Sequence, residues 1–159
     1  MLAGSADPYT QAETRNVQSA ARTLGLRLLV FNATTESEIA AAFATLVERG
    51  AGAVLLTAHL QLVPRYDQII SLAGNALPTM FYRGSAVREG GLLSYGPLVS
   101  EQFHLSGAYT GRIIKGEKPA DLPVQQATKF EFIINLPTAR LLGIEVPPTL
   151  IAIADEVIE

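Results

Sequence analysis

Apolar positions along the chain recur in two ways, and each predicts a different element. Val17, Ala20, Ala21 and Leu24 return every three or four residues, the spacing of one helix face. Asp7 before Pro8 suits the N-cap and first turn of that helix, and Gly25 stops it. Ile39, Phe43, Leu46 and Val47 form a second stripe. Thr35 and Glu38 ahead of it fit a capping box, and Arg49 with Gly50 closes it. The spacing predicts a third helix from Pro64 to Gly74 and a long one over 98–115, ending at Lys115 and Gly116.

The second pattern is the short, mostly apolar run: "LRLLVFN" (26–32), "AGAVLLT" (51–57), "LPTMFY" (77–82) and "FEFIINL" (130–136). Such runs suit strands buried on both faces. Strand and helix alternate, which predicts an α/β fold: a three-layer parallel sheet with helices on both faces. Only Met1, Leu2 and Ala3 precede the first loop and N-cap. The leading strand therefore reads as clipped, and the chain is expected to be part of a longer protein.

After Tyr82 the character changes. "REGGLLSYGP" (88–97) carries a glycine pair and a proline exit, and Gly107 and Gly111 lie one turn apart on the long helix. A polar loop with two prolines then releases the last apolar strand, followed by "PTARLLG" and the tail "IEVPPTLIAIADEVIE". The expected division is a core over 1–96, a crossover segment over 97–129, and a returning strand with tail over 130–159.

Composition narrows the function classes. At 159 residues and 48% apolar content the chain suits one core. A net charge of -3 offers no basic footprint for nucleic acid. Having no cysteine excludes disulfides, thiolate metal sites and cysteine nucleophiles. No apolar run reaches the roughly 20 residues of a membrane span, and "MLAGSADPYT" is not a signal-peptide pattern. A soluble chain without an export address is expected.

Neither a GxGxxG nor a GxxxxGK[ST] loop occurs, and there is no HExxH or GxSxG. No metal, cofactor or catalytic site is therefore expected. A Ser-His-Asp triad assembles in space, so only the fold tests one. Open parallel sheets collect ligands at the carboxyl ends of their strands. The candidates there are Ser5 and Asp7, then Asn32 and Thr34, Thr57 and His59, Tyr82 and Arg83, and Tyr95. Hydroxyls, aromatic faces and one guanidinium suit a small polar solute bearing a carboxylate. Each also has a plainer role: Asp7 and Thr57 as caps, His59 as a solvated loop residue, Arg83 paired with Glu89, and the tyrosines as packing. His104, on the long helix, is given no function.

"GGLLSYGP" and "YTGRIIKGEKPADLPVQQATKFEFIINLPTARLLGIEVPPTLIAIADEVIE" resemble the ABC transporter substrate-binding protein family that includes tryptophan- and tyrosine-type uptake receptors. "NVQSAARTLGLRLLVFNATTESEIAAAFATLVERGAGAVLL" is similar to that family's second lobe. The resemblance implies a two-lobed periplasmic binding protein of about twice this length, with an export signal and a solute clamped between the lobes. It implies no catalysis, and an ABC permease as partner. It maps cleft-facing positions to Ser5 with Asp7, Thr57 through His59, and Tyr95. Where relatives carry an asparagine-proline loop, this chain has "AGSADP". Helix 98–115 would cross to pack on the other lobe, and "ATKFEFIINL" would return. A single lobe is expected to bind solute weakly and to self-associate as a homodimer, with the long helix or last strand exchanged. The alternative is a flavodoxin-like enzyme or cytoplasmic small-molecule sensor domain.

Overall fold

In a computed structural model, which describes residues 1–74 and 76–159, the two patterns become seven short strands and seven helices among the described residues. The chain runs β1 (Leu2–Ala3), α1 (Pro8–Thr23), β2 (Phe31–Asn32), α2 (Glu36–Glu48) and β3 (Val54–Leu55). A 3₁₀ stretch over Leu60–Arg65 leads into α3 (Tyr66–Ala73), then β4 (Thr79–Phe81), α4 (Gly84–Arg88) and β5 (Leu93–Pro97). The long α5 (Val99–Ile114) follows, and β6 (Phe130–Asn135), α6 (Leu136–Leu141), α7 (Pro148–Ile153) and β7 (Glu156–Ile158) complete the order.

The caps act as the sequence predicts. The Asp7 carboxylate accepts the Thr10 N–H at 2.8 Å, with Pro8 in the first turn of α1. Thr35 and Glu38 form the capping box of α2. Backbone N–H groups of Thr34 and Thr35 hold the Glu38 carboxyl down to about 2.

β1 pairs with β2, and the other five strands stand in the order β3-β4-β5-β6-β7. A parallel bridge between Leu2 and Leu56 joins the two groups. The core lies among Leu2, Ile39, Leu46, Leu62, Ile69 and Phe81, all essentially inaccessible. Burying each such side chain stabilises the fold by ~1.5–3 kcal/mol. Tyr66 meets Phe81 edge-on at 5.2 Å, and burial pushes its phenol up to about 12.

The sheet is mixed rather than wholly parallel: β6 runs antiparallel to β5, and β7 is parallel to β6. The reason is where the excursion through α5 begins and ends. Leu98 N–H donates to Lys129 O at 3.0 Å, so the chain leaves and re-enters the sheet at the same end. A strand added that way must run backwards. The ladders are also shorter than the apolar runs. Of residues 26–32 only Phe31–Asn32 pairs as a strand, and of 51–57 only Val54–Leu55 is a strand, with Leu56 adding an isolated bridge.

Candidate functional site

The turns after β1, β3 and β4 bring most of the candidate residues to one end of the sheet. Ser5 Oγ donates to Asp7 Oδ2 at 3.0 Å, and His59 Nε2 lies 3.0 Å from the same oxygen and 3.2 Å from Ser5 Oγ. The His59 ring packs on Gly4, where a Cβ would stand 2.2 Å from the ring. Thr10 N–H first, and then the His59 contact, hold the Asp7 carboxyl well below the usual carboxylate range.

Serine, histidine and aspartate thus meet, but not as a catalytic relay. A relay places serine on one ring nitrogen and aspartate on the other. Here both face Nε2, while Nδ1 accepts the Gln61 N–H at 3.3 Å. That pattern assigns the proton to Nε2 and leaves no basic nitrogen directed at Ser5. The three residues satisfy one another and tie the turn after β1 to the turn after β3.

Other groups at this end are left unsatisfied. Thr57 is 2% exposed, and its hydroxyl has no hydrogen-bond partner among the described residues. Arg83 Nε is buried and equally unpartnered. The pairing of Arg83 with Glu89 does not form, and Arg83 makes no ion pair among the described residues. Thr34, by contrast, is committed to the Glu38 carboxylate through its N–H at 2.9 Å.

Tyr82 and Arg83 border a hollow of about 310 Å³, with Ser85, Arg88, Ser100 and Glu131 among its other lining residues. Burial first, and then the field of Tyr9, raises the Tyr82 phenol above its ordinary value. Gly96 completes the wall because nothing larger fits: a Cβ there would stand 2.0 Å from Tyr82 O. Tyr95 is not brought to this hollow. Neighbouring residues of a strand point to opposite faces, and Tyr95 stacks on Phe130 at 5.5 Å with Phe132 edge-on at 6.4 Å. A larger groove of about 630 Å³ lies beside the starts of β1 and β3, lined by residues such as Val17, Leu24, Leu29 and Leu46. It lacks the converging polar groups that orient a small polar ligand.

Two acids at this end escape a reading of the sequence alone. Glu131 pairs in register with Gly96 and lines the hollow. Its signal is a charge inside the apolar run "FEFIINL". Glu13 accepts the Ala58 N–H at 3.1 Å, and its second oxygen is buried without a partner. It stands four residues before Val17, in register with the inward stripe of α1. Among the described residues no cluster of three histidine, aspartate or glutamate groups suits a metal ion, and no helix is long and apolar enough to cross a membrane.

The fold and this polar end define an α/β protein with a ligand-sized hollow at the carboxyl ends of its strands. Residues 2–158 match the family model described as ABC transporter substrate binding protein, and the chain belongs to that family. Among solved structures it is similar to an ABC domain in complex with L-Trp from Streptococcus pneumoniae, at 23% identity and a TM-score of 0.85, covering 99% of this chain and 56% of that one. A conserved domain protein from Vibrio cholerae O1 is similar at 21% identity and TM-score 0.82, covering 98% and 54%. A ligand-free, open substrate-binding protein with adhesive properties from Clostridium difficile gives 18% and 0.66, covering 99% and 52%. The chain spans about half the length of these structures. No curated protein matches the chain. The family is typically non-catalytic and typically periplasmic or extracellular.

Proposed function

We propose that this chain forms the second lobe and crossover segment of an ABC-importer substrate-binding protein, and that its hollow takes the carboxylate of a small polar or amino-acid-like solute. The observation that carries the reading is Arg83: a guanidinium without an ion pair among the described residues, at the carboxyl end of β4, bordering a hollow of about 310 Å³. Guanidinium is the side chain best shaped to hold a carboxylate by two parallel bonds. Tyr82 adds an aromatic face beside it. Ser5, Asp7, Thr57 and His59 shape the adjoining wall, while Tyr95, stacked on Phe130, stands apart from it.

Residues 1–96 are the core of the lobe, 97–129 pack on the other lobe, and 130–159 return to the sheet. The mechanism is closure. A solute that touches both walls only when they approach favours the closed state, and a membrane permease recognises that state. The solute leaves unchanged. One wall supplies only part of the contacts, so the chain alone binds weakly. The working protein acts outside the cytoplasmic membrane, where its family typically resides.

The test is NMR titration of the chain with the proteinogenic L-amino acids at millimolar concentration. Weak binding that shifts the amides of Tyr82–Ser85 and Gly96–Ser100, and that Arg83→Gln weakens about tenfold, is the expected outcome. Equal binding by Arg83→Gln overturns the role of Arg83. Micromolar binding by the chain alone overturns the need for a second wall.

A second reading concerns self-association. No residue of α5 is buried, and Phe103 and Ile114 are 73% and 79% exposed. Two copies that exchange α5 or the last strand would cover this surface. A clean monomer at high concentration in light scattering would exclude the homodimer.

A further inference from the structure

The hollow beside Arg83 contains an acid as well as a base, and the acid arrives on the strand that returns from the α5 excursion. The excursion through α5 returns the chain as β6, whose register sets Glu131 opposite Gly96. The Glu131 carboxylate then lies against the residue that follows Arg83. A Cβ built on Gly84 would stand 2.7 Å from Glu131 Oε2 and 2.4 Å from Ile133 Cδ1. Glycine at 84 is what lets a guanidinium-bearing turn and a carboxylate share this corner.

Glu131 is only loosely held. Its Oε1 lies 3.4 Å from Arg88 Nη2, at the long end of a hydrogen bond. Arg88 spends its fork on Glu156 instead, with Nε at 3.2 Å from Oε1 and Nη2 at 2.5 Å from Oε2. No other cation pairs with Glu131 among the described residues. The hollow therefore presents a guanidinium with no acid of its own and a carboxylate with half a partner, together with the hydroxyls of Ser85 and Ser100.

We propose that Glu131 accepts the ammonium group of the solute while Arg83 holds its carboxylate, so that the wall selects zwitterionic amino acids over organic acids that lack the amine. This rests on the solute-wall reading above. Two opposite charges fixed on one rim make a solute with the same two charges complementary twice. A solute carrying only one leaves the other protein charge unmatched in a half-enclosed site. Arg88 serves as a positioning residue: it keeps the Glu131 side chain turned toward Gly84 without neutralising it fully.

The experiment compares Glu131→Gln with the parent chain by NMR titration. The probes are L-tryptophan, indole-3-propionate (the same carboxylate without the amine) and tryptamine (the same amine without the carboxylate). Glutamine keeps the size of the side chain and removes its charge, and Arg88 retains Glu156, so the variant folds; an unchanged amide spectrum of the core verifies this. Glu131→Gln is expected to weaken L-tryptophan and tryptamine about tenfold and to leave indole-3-propionate unchanged. Arg83→Gln is expected to do the reverse for the two single-charge probes. Loss of all three probes alike, or of none, overturns the role of Glu131 while leaving the wall standing. If no proteinogenic amino acid shifts the amides around Tyr82 and Gly96 in the parent chain, the wall reading falls and takes this one with it.

Discussion

The sheet core and the arm built from α5 and residues 115–129 contain the same kinds of residue and treat them in opposite ways. Helices α2 and α3 sink Ile39, Phe43, Leu46 and Ile69 into one continuous core with Leu2 and Phe81. Helix α5 has Phe103, Ile113 and Ile114 on its surface and contains no buried residue. Polar bonds along its own length shape the arm instead. Tyr109 Oη donates to Pro123 O at 2.6 Å, Lys129 Nζ meets Glu101 Oε1 at 3.0 Å, and Arg112 forks onto Glu117. The lesson concerns what a hydrophobic stripe reports. Periodicity says that a face exists; only the rest of the fold says what covers it.

The sharpest way to break this comparison is to truncate one aromatic in each region. Phe81→Ala is expected to cost ~3–5 kcal/mol, because a fully buried ring leaves a cavity among close-packed neighbours. Phe103→Ala, in the arm, is expected to change stability by no more than ~0.5 kcal/mol. Urea unfolding with unchanged m-values decides the matter. A large loss from Phe103→Ala would mean that the arm packs on the core after all.

Glycines sharpen the same contrast at a smaller scale. A Cβ at Gly96 meets Tyr82 O at 2.0 Å, both of them backbone-bound. Gly96→Ala must displace β5 or the Tyr82 turn, at an expected cost of ~1–3 kcal/mol. Gly107 and Gly111 meet nothing within 4 Å. Gly107→Ala is expected to stabilise α5 by ~0.5–1 kcal/mol through lost backbone freedom in the unfolded chain. Opposite signs in thermal melts support the contrast, and a destabilising Gly107→Ala would show that this face of α5 is closely covered.

Capping lies next. Thr35→Ala is expected to cost ~1 kcal/mol, since Thr35 and Glu38 hold each other's backbone N–H at the start of α2. Glu38 adds a pH signature. Its carboxyl is held down to about 2, below its ordinary 4.5, so its contribution is present above pH 4.5 and disappears as pH falls through 2. Glu38→Gln should flatten the acid side of the stability curve in that window. A variant as acid-sensitive as the parent would assign the window to other carboxylates.

Local chemistry was legible in the sequence wherever a residue's partner sits within one turn. The Asp7 cap with Pro8 and the Thr35–Glu38 box follow from spacing alone. Strands β3 and β4 were legible too, because a strand covered on both faces excludes charged residues from its run. The direction of β6 was not: it depends on Leu98 and Lys129 meeting across an excursion, and no local pattern encodes that meeting. The candidate residues were found by position, but their state was not. Ser5, Asp7 and His59 share one oxygen and one ring nitrogen, whereas Arg83 stands without an acid. Nothing in the letters separates the two cases, because each depends on a side chain tens of residues away. Glu131 and Glu13 each left a trace, a charge where the apolar pattern asked for none.

The smallest effect separates two ion pairs of one kind. Glu156 in the core and Glu117 in the arm are both held below the ordinary glutamate range, in each case first by an arginine hydrogen bond, from Arg88 and Arg112 respectively. A carboxyl lowered in the folded state contributes above its unfolded value, near 4.5, and ceases to contribute as pH falls through its folded value. Both pairs therefore weaken on acidification, but they tether different things. Arg88 connects α4 to β7, so losing Glu156 loosens an edge of the sheet. Arg112 reaches only five residues along its own arm, where Glu117 N–H also donates to Arg112 O. Acidification below 4.5 should thus lower amide protection, corrected for intrinsic exchange, at Glu117 while the midpoint of global unfolding stays indifferent to Arg112→Gln. Arg88→Gln should move that midpoint detectably over the same range. If Arg112→Gln shifted global unfolding as much as Arg88→Gln does, core and arm would belong to one cooperative unit, and the contrast between them would be one of exposure rather than of stability.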